Sequence, residues 1–217
     1  MPLYEATIPA RYALPLLDIV GEQDPACVVA MLDNAGLDHD GCRKANAVLQ
    51  MSQYDTLLVT AAEWLGRGDL GFEVGRRITI DDHSALTLVL HGCQTLHELF
   101  RVVERYHNLV TPSFAVRYLP GPEQCEWRLR VAAPMSQLTM RMFLELHAVS
   151  FHVDLVRLLG PRARSEIFLS IPPPKHVKRY RQLTPTRFHF SAGALPEVRL
   201  VLPSALVMQP LRPVAGD

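Results

Sequence analysis

The stretch CQTLHELFRVVERYHNLVTPSF, residues Cys93–Phe114, carries the clearest helix signal in the chain. Thr95 followed by Glu98 forms a capping box, which marks the start of a helix because the two side chains pair with backbone N–H groups of the first turn. The apolar residues after this start recur every three or four positions: Leu96, Leu99, Phe100, Val103, Tyr106, Leu109 and Val110. This spacing predicts one apolar stripe along a helix of about four turns.

The opposite side of this helix carries His97, Arg101, Glu104 and Asn108, which predicts a solvated face with helical charge pairs. Cys93 precedes the cap and is expected to lie outside the helix, so it does not share a metal-binding face with His97. The stretch is therefore interpreted as a structural helix with two faces and not as a chemical site.

The composition is that of a globular protein large enough for a sizeable core. Of 217 residues, 48% are hydrophobic and 20% are charged. The chain has 22 basic and 22 acidic residues, and this zero net charge argues against a free-standing nucleic-acid-binding domain. Residues 1–104 are acidic and residues 105–217 are basic. This asymmetry fits two faces of one domain, or a basic second half beside an acidic partner.

Cysteine spacing and the N-terminal sequence bound the setting of the protein. The four cysteines, Cys27, Cys42, Cys93 and Cys125, form no C-x-x-C or C-x-x-C-H motif, which excludes the usual zinc-ribbon, thioredoxin and c-type haem spacings. The N-terminus has no basic leader followed by a long apolar core, and no apolar run approaches the length of a membrane span. We therefore expect a reduced, cytoplasmic protein without a membrane partner.

The order of the segments predicts an α+β fold. Helix signals come first, over residues 11–23, 24–37, 52–66, 69–78 and 84–92, with Asp24 and Ser52 as expected caps. A hairpin follows over residues 113–132, then one long helix near residues 135–159, and short strands alternate with a short helix up to residue 202. The expected architecture is N-terminal helices packed with a small antiparallel or mixed sheet, in a single domain over residues 1–217.

The long helix has too many polar residues for one wet face. At about 100° per residue, Arg141, Glu145 and His152 share one side. The opposite side carries Ser136, His147, Ser150 and Asp154. Apolar stripes separate the two sides, so one polar side must meet a buried network, a cavity or another subunit.

Candidate ligand-binding residues follow from this pattern. Arg141 and Glu145 stand four residues apart, either as a surface salt bridge or as a pair that holds a carboxylate and an amine of a ligand. Tyr106 on the capped helix adds a ring with a polar tip, and His147 lies on the second polar stripe. We predict Tyr106, Arg141, Glu145 and His147 as ligand-binding residues.

The sequence contains no known motif for catalysis or metal binding. The nine histidines form no H-E-x-x-H or related spacing, and the chain has no G-x-S-x-G elbow, P-loop or G-x-G-x-x-G motif. We therefore predict no enzyme activity, no catalytic residues, no metal site and no cofactor.

Several motifs, read in order, resemble a known family. Leu70-Gly71 opens a helix, Thr95-Leu96 begins one that ends at Arg105-Tyr106, and Phe190 to Ala192 is a Phe-x-Ala strand. Leu200 to Pro203 is a strand running into proline, and Met208 to Leu211 matches a Leu-x-x-Pro-Leu tail except at its first position. From about residue 5 onward the chain resembles the N-terminal effector-binding, arabinose-binding type domain of AraC/XylS transcription regulators. His97 departs from the small residue that this family usually has there.

The resemblance implies a ligand-sensing and dimerisation domain of a bacterial transcription regulator. Its partners would be a small-molecule effector, a second copy of the chain, and DNA only through a helix-turn-helix domain expected after residue 217. Regulators of this family respond to amino acids, sugars, fatty acids or aromatic compounds, so the effector stays open. The alternative is a stand-alone small-molecule or haem-binding sensor, which the order of helices and sheet and the many histidines also allow.

Overall fold

The computed structural model describes residues 6–44, 46–83, 92–193 and 195–212, and within them helices surround a five-stranded sheet. The helices are α1 (Leu14–Gly21), α2 (Pro25–Ala35), α3 (His39–Cys42), α4 (Met51–Leu65), α5 (Leu70–Gly75), α6 (Leu96–Val110), α7 (Gln137–Leu159), α8 (Val177–Tyr180) and α9 (Ser204–Val207). Short 3-10 helices span Ala10–Ala13 and Ile80–His83. The fold is α+β, as predicted, whereas the helix expected at residues 84–92 lies outside the described residues.

The strands form two sheets. Strands β1 (Thr7–Pro9) and β2 (Val48–Gln50) make an antiparallel pair near the N-terminal helices. The larger sheet contains β3 (Phe114–Leu119), β4 (Gln124–Val131), β5 (Glu166–Leu169), β6 (Arg187–Phe190) and β7 (Glu197–Pro203), in the order β3-β4-β7-β5-β6. Only β5 and β6 of this sheet run parallel, so it is mixed. The predicted hairpin is β3-β4.

Local sequence signals correctly mark several ends of the helices in the first part of the chain. Asp24 caps α2 by accepting a hydrogen bond from the Ala26 N–H, and Gly36 and Gly66 end α2 and α4 in the left-handed region. The predicted Ser52 cap is wrong. Helix α4 begins at Met51, and the Gln53 side chain accepts a hydrogen bond from the Gln50 N–H. The pairing of β1 with β2 carries the chain directly into the helix and makes Gln50 its N-cap.

Helix α7 is the centre of the domain, and α5 packs against it at very close range. A methyl group added at Gly71 would lie 2.4 Å from the Met142 carbonyl oxygen, and one at Gly75 would lie 2.5 Å from that of Leu146. The two glycines stand one helical turn apart, so they let two backbones meet along a line. This contact explains why a glycine follows Leu70 in the motif noted above.

Helix α6 runs along the free edge of β3 and is only partly solvated on its polar side. The Glu104 carboxylate accepts a hydrogen bond from the Tyr118 N–H, and the His97 ring lies 3.0 Å from the Tyr118 hydroxyl. The prediction of a fully solvated face was therefore wrong for His97 and Glu104. An edge strand presents unpaired backbone groups, and here side chains of α6 meet one of them.

The C-terminal tail connects the two helices that flank the sheet. Pro210 forms an isolated bridge with Thr95, and the Leu211 N–H donates to the Gln94 carbonyl at the start of α6. The Arg212 N–H donates to the Leu158 carbonyl in the last turn of α7. The tail is thus fastened to the beginning of one helix and the end of the other.

Candidate ligand cavity

A cavity lies between α6, α7 and the inner face of the larger sheet. The space open to the centres of water molecules is about 120 Å3. An engineered, dry cavity of about 150 Å3 in another protein binds benzene. The cavity is therefore of a size for a ligand with about one ring.

The walls are mainly apolar. Helix α6 contributes Leu96, Leu99, Phe100 and Val103. Helix α7 contributes Phe143, Leu146, Phe151, Leu155 and Leu158, and the sheet contributes Phe114, Val116, Trp127, Leu129 and Leu200. The inward positions of the strands alternate with outward polar ones, which places these sheet residues on one face. The apolar stripe predicted for α6 thus lines the cavity over its first two turns.

Aromatic rings give one wall a flat surface. Phe100 stacks on Trp127 with ring centroids 4.8 Å apart and an angle of 23° between the planes. Phe114 meets Phe143 edge to face at 5.1 Å, and the His147 ring lies 4.8 Å from Phe114. Offset and edge-to-face contacts of this kind fix ring orientations, so the wall is held in shape by its own packing.

Trp127 combines this wall with an unsatisfied hydrogen-bond donor. Its side chain is 3% exposed, and its indole N–H has no hydrogen-bond partner among the described residues. A buried donor without an acceptor costs about 1 to 3 kcal/mol, because it has lost water without a replacement. An acceptor supplied by a ligand would remove this cost.

The remaining polar groups of the cavity are tied to the protein. The Asp154 carboxylate accepts a hydrogen bond from the Ile80 N–H, and the Ser150 hydroxyl donates to the His147 carbonyl. His147 Nδ1 lies 2.7 Å from the Phe143 carbonyl oxygen, which can only accept, so Nδ1 carries the proton. His107 Nε2 lies 2.8 Å from the Thr111 hydroxyl. These bonds orient the polar groups and leave the apolar surface dominant.

The described cavity wall contains one acidic residue and no Lys or Arg. Asp154 is the sole Asp, Glu, Lys or Arg among the described lining residues. A carboxylate of a ligand would meet no Lys or Arg there, and the basic groups of the described wall are the imidazoles of His107 and His147, which already hydrogen-bond within the protein. An anion pays a large penalty for leaving water without a partner. The arrangement favours a neutral ligand.

The opposite side of α7 is built in another way. Glu145 is 1% exposed, and its carboxylate accepts hydrogen bonds from the Tyr180 hydroxyl at 2.9 Å and from Arg141 Nε at 3.3 Å. His176 Nε2 lies 2.6 Å from the same carboxylate. Burial, together with the Glu145 charge, raises the pKa of Tyr180 well above its usual value, so its hydroxyl stays a donor. Glu145 is thus a buried acceptor with several donors around it.

A second group of ion pairs joins α8 to α5. Arg179 pairs with Asp69 at 2.6 Å and with Glu73 at 2.7 Å, and its guanidinium lies over the Phe72 ring. Arg67 also pairs with Asp69, and this hydrogen bond, opposed by burial, holds the pKa of the Asp69 carboxyl below its usual value. The groups around Glu145 thus form an ionic network that joins α7 to α8, and the ion pairs of Arg179 join α8 to α5.

The structure separates the four predicted ligand-binding residues. His147 lines the cavity, whereas Arg141 and Glu145 pair with each other in the ionic network. Tyr106 is half-buried away from the cavity wall, with the Arg105 guanidinium 5.3 Å from its ring centre. Their ligand-binding roles stay predictions, and the structure does not bring the four together.

Sequence reasoning missed Trp127 as a functional candidate. Trp127 was assigned to a hairpin strand, and an inward-facing tryptophan is ordinary core material by sequence pattern. A buried tryptophan normally finds a partner for its N–H, and the sequence gives no sign that Trp127 departs from this rule. Only the packed structure shows that the partner is missing.

Solved structures with the same fold include a transcriptional regulator and H-NOX proteins. The transcriptional regulator CdpR from Pseudomonas aeruginosa is 14% identical, with a TM-score of 0.57, over 71% of this chain and 51% of that one. The Fe(II) unliganded H-NOX protein from K. algicida is 12% identical, with a TM-score of 0.52, over 97% of this chain and 100% of that one. An oxygen-binding H-NOX domain related to soluble guanylate cyclases is 8% identical, with a TM-score of 0.53. Identities this low show the fold alone, and this chain spans about half of CdpR.

The family match defines the class of this domain. A model of the arabinose-binding N-terminal domain of AraC transcription regulators matches residues 28–211. The chain belongs to this family, as its motifs had indicated. The search of curated proteins gave no match.

None of the helices in the described part of the chain combines the length and the apolar composition that a membrane span requires. The same residues contain no group of three or more His, Cys, Asp or Glu side chains arranged to hold a metal ion.

Proposed function

We propose that this domain senses a small-molecule effector for an AraC-type transcription regulator and binds it in the cavity between α6, α7 and the sheet. The observation that carries the proposal is the cavity itself, an apolar space lined by the buried Trp127, whose N–H has no partner among the described residues. Cavities of this kind, with few polar groups in an apolar wall, are the usual form of small-molecule sites. In this proposal the domain has no catalytic role.

A ligand screen by thermal unfolding tests the proposal. A compound present at 100 times its dissociation constant stabilises the folded state by about 2.7 kcal/mol. Hits are expected to protect the parent protein and to lose their effect when the cavity is filled by Leu99→Trp. Hits that protect both proteins equally would place the effector outside the cavity.

A second candidate site is the Arg141 and Glu145 pair, two of the four ligand-binding residues predicted from sequence. Arg141→Ala separates the two sites, because Arg141 is part of the ionic network and not of the cavity wall. If the effector binds in the cavity, Arg141→Ala binds it as the parent does. A loss of about 1.5 to 3 kcal/mol in binding would instead support the ligand role predicted for Arg141.

DNA binding and dimerisation complete the proposed function. Specific DNA contact would come from a helix-turn-helix domain beyond residue 217, because this chain has zero net charge. We expect no sequence-specific gel-shift complex with residues 1–217 alone.

Leu109 on α6 is 81% exposed, and a homodimer would cover such a side chain. Sedimentation of the parent and of Leu109→Glu measures whether it does. We also propose a cytoplasmic location, since the regulated DNA lies there.

A haem-binding sensor is the alternative function, and it is supported by the H-NOX neighbours, which cover nearly the whole chain. The cavity residues do not fit that group. The carboxylates of a haem need cationic partners, whereas the described lining residues include no Lys or Arg and do include Asp154. A porphyrin is also much larger than the available space. A Soret band from the purified protein, or stoichiometric binding of added haemin, would reverse this order.

A further inference from the structure

The chemistry of the cavity narrows the class of effector, and this step rests on the proposed function. We infer that the cavity takes a neutral, ring-sized, largely apolar molecule with one hydrogen-bond acceptor, and that the Trp127 N–H donates to this acceptor. Three features of the cavity support the inference: its apolar wall, its charge and its unpaired donor.

The apolar wall argues against a sugar, although the family is named for arabinose. A pentose carries a hydroxyl group on nearly every carbon, and each hydroxyl placed in an apolar site without a partner costs about 1 to 3 kcal/mol. Apart from Trp127, the described wall has six polar side chains, and five of them already make hydrogen bonds within the protein: His107, Thr111, His147, Ser150 and Asp154. The sixth is Tyr12. The flat Phe100 and Trp127 pair instead suits a ring that stacks or packs edge to face.

Charge argues against an acid. Asp154 is the one Asp, Glu, Lys or Arg among the described wall residues, so a ligand carboxylate would be repelled by it. The basic groups of this wall are the imidazoles of His107 and His147, which are already hydrogen-bonded to Thr111 and to the Phe143 carbonyl. A neutral carbonyl or ether oxygen avoids this penalty and still accepts a hydrogen bond from the indole N–H. The donor has no other acceptor among the described residues, so a ligand oxygen would restore a bond that folding leaves unmade.

Three probes of nearly the same shape test this inference. Acetophenone is neutral and has an acceptor, cumene replaces the carbonyl oxygen by a methyl group, and benzoate adds a negative charge. Calorimetry with the parent protein is expected to give acetophenone roughly tenfold tighter binding than cumene, the effect of one hydrogen bond of about 1.4 kcal/mol. Benzoate and L-arabinose are expected to show no binding.

Indole resonances locate the bond. The chain has two tryptophans, so protein labelled with 15N-tryptophan gives two side-chain N–H signals. Trp64 donates to Asp24 on α2, and its signal serves as an internal control, with Trp64→Phe to assign it. Acetophenone is expected to shift the Trp127 signal downfield and leave the Trp64 signal in place. In Trp127→Phe the preference for acetophenone over cumene is expected to vanish, while Trp64→Phe keeps it.

The outcomes separate this inference from the proposed function. Equal binding of acetophenone and cumene, with the Trp127 signal perturbed by both, would overturn the donor role and keep the cavity as the ligand site. Arabinose or benzoate binding that perturbs Trp127 and is lost in Leu99→Trp would overturn the ligand class and again keep the site. A ligand from the thermal screen that leaves the Trp127 signal unmoved would overturn the cavity as effector site, and the inference with it.

Discussion

The two polar sides of α7 differ in how their hydrogen bonds are satisfied. On the side facing α8, the buried Glu145 carboxylate is surrounded by Arg141, His176 and Tyr180. On the other side, the helix faces an apolar space whose wall includes Trp127 with an unpaired N–H. The helix therefore buries polar residues on both sides, once against protein and once against a cavity.

This difference distinguishes residues that stabilise the fold from residues that can bind a ligand, within one helix. A buried polar group whose partners are all supplied by the protein has no need of a ligand, and its removal mainly affects stability. A buried donor without a partner, beside unfilled space, leaves free energy for a ligand to recover. Charged residues drew attention to the first side of α7, whereas the second side has the features of a binding site.

The largest expected effect comes from Glu145→Ala. The change leaves Tyr180, His176 and Arg141 around a void, and breaking a buried ionic group of this kind costs about 3 to 5 kcal/mol. Urea unfolding measures the loss. Glu166→Ala is the matched control, because the Glu166 side chain is 45% exposed and its ion pair is with the exposed His189 at 3.4 Å, so its loss should be below about 1 kcal/mol. Equal effects of the two changes would mean that the network does not hold α7 to α8.

Gly71→Ala is expected to have the next largest effect, because it pushes α5 away from α7. The added methyl group would lie 2.4 Å from the Met142 carbonyl oxygen, and such overpacking costs about 1 to 3 kcal/mol. Gly68→Ala is the control, since a methyl group there meets no atom within 4 Å, and it should be neutral or stabilise by about 0.5 kcal/mol. If thermal unfolding ranks the two variants in the opposite order, the close contact of α5 with α7 is not as described.

Val103→Phe sharpens the comparison from the cavity side. Val103 lines the cavity, so a larger ring at this position fills space and is expected to stabilise the protein by up to about 1 kcal/mol. The same ring should abolish acetophenone binding in calorimetry. Val29→Phe, at a position on α2 that is 59% exposed, should change neither property. Undiminished binding by Val103→Phe would show that the ligand lies elsewhere.

The smallest expected effect concerns pH and His152. Burial lowers the pKa of His152, whose Nδ1 lies 2.8 Å from the Thr186 hydroxyl. The unfolded chain then binds the proton more readily than the folded one, so His152 reduces stability as pH falls below about 6.5, and this loss ends near its lowered native pKa. His152→Asn should remove this part of the pH dependence. Denaturant unfolding of both proteins at pH 7.5 and pH 5.5 gives the difference, and an identical pH dependence would contradict the burial effect.

Local patterns in the sequence account for much of the fold. The Thr95 cap, the hairpin before Val131 and the end of the long helix at Leu159 were all predicted, because caps, turns and periodicity depend on neighbouring residues. The start of α4 was misassigned because it depends on the pairing of Thr7 with Gln50, two residues far apart in the chain. Tertiary pairing therefore decided a helix start that local signals placed wrongly.

The candidate site was less accessible to sequence reasoning, for the same reason. Two polar stripes on the long helix were predicted, but the partners of Glu145 lie 31 and 35 residues further along the chain. A cavity is a property of how α6, α7 and the sheet fit together, and no single segment encodes it. His147 was placed correctly on the second stripe, whereas Trp127 could be recognised only from the absence of an acceptor around it.

The tail that joins Gln94 to Leu158 has a consequence for signalling. Its hydrogen bonds reach the first turn of α6 and the last turn of α7, and both helices line the cavity at Leu96 and Leu158. A ligand that changes the spacing of the two helices therefore changes the strain on the tail. If the ligand changes the affinity of a partner that binds the tail at Leu211 and Arg212, thermodynamic linkage requires that this partner changes the affinity of the cavity for the ligand by the same factor.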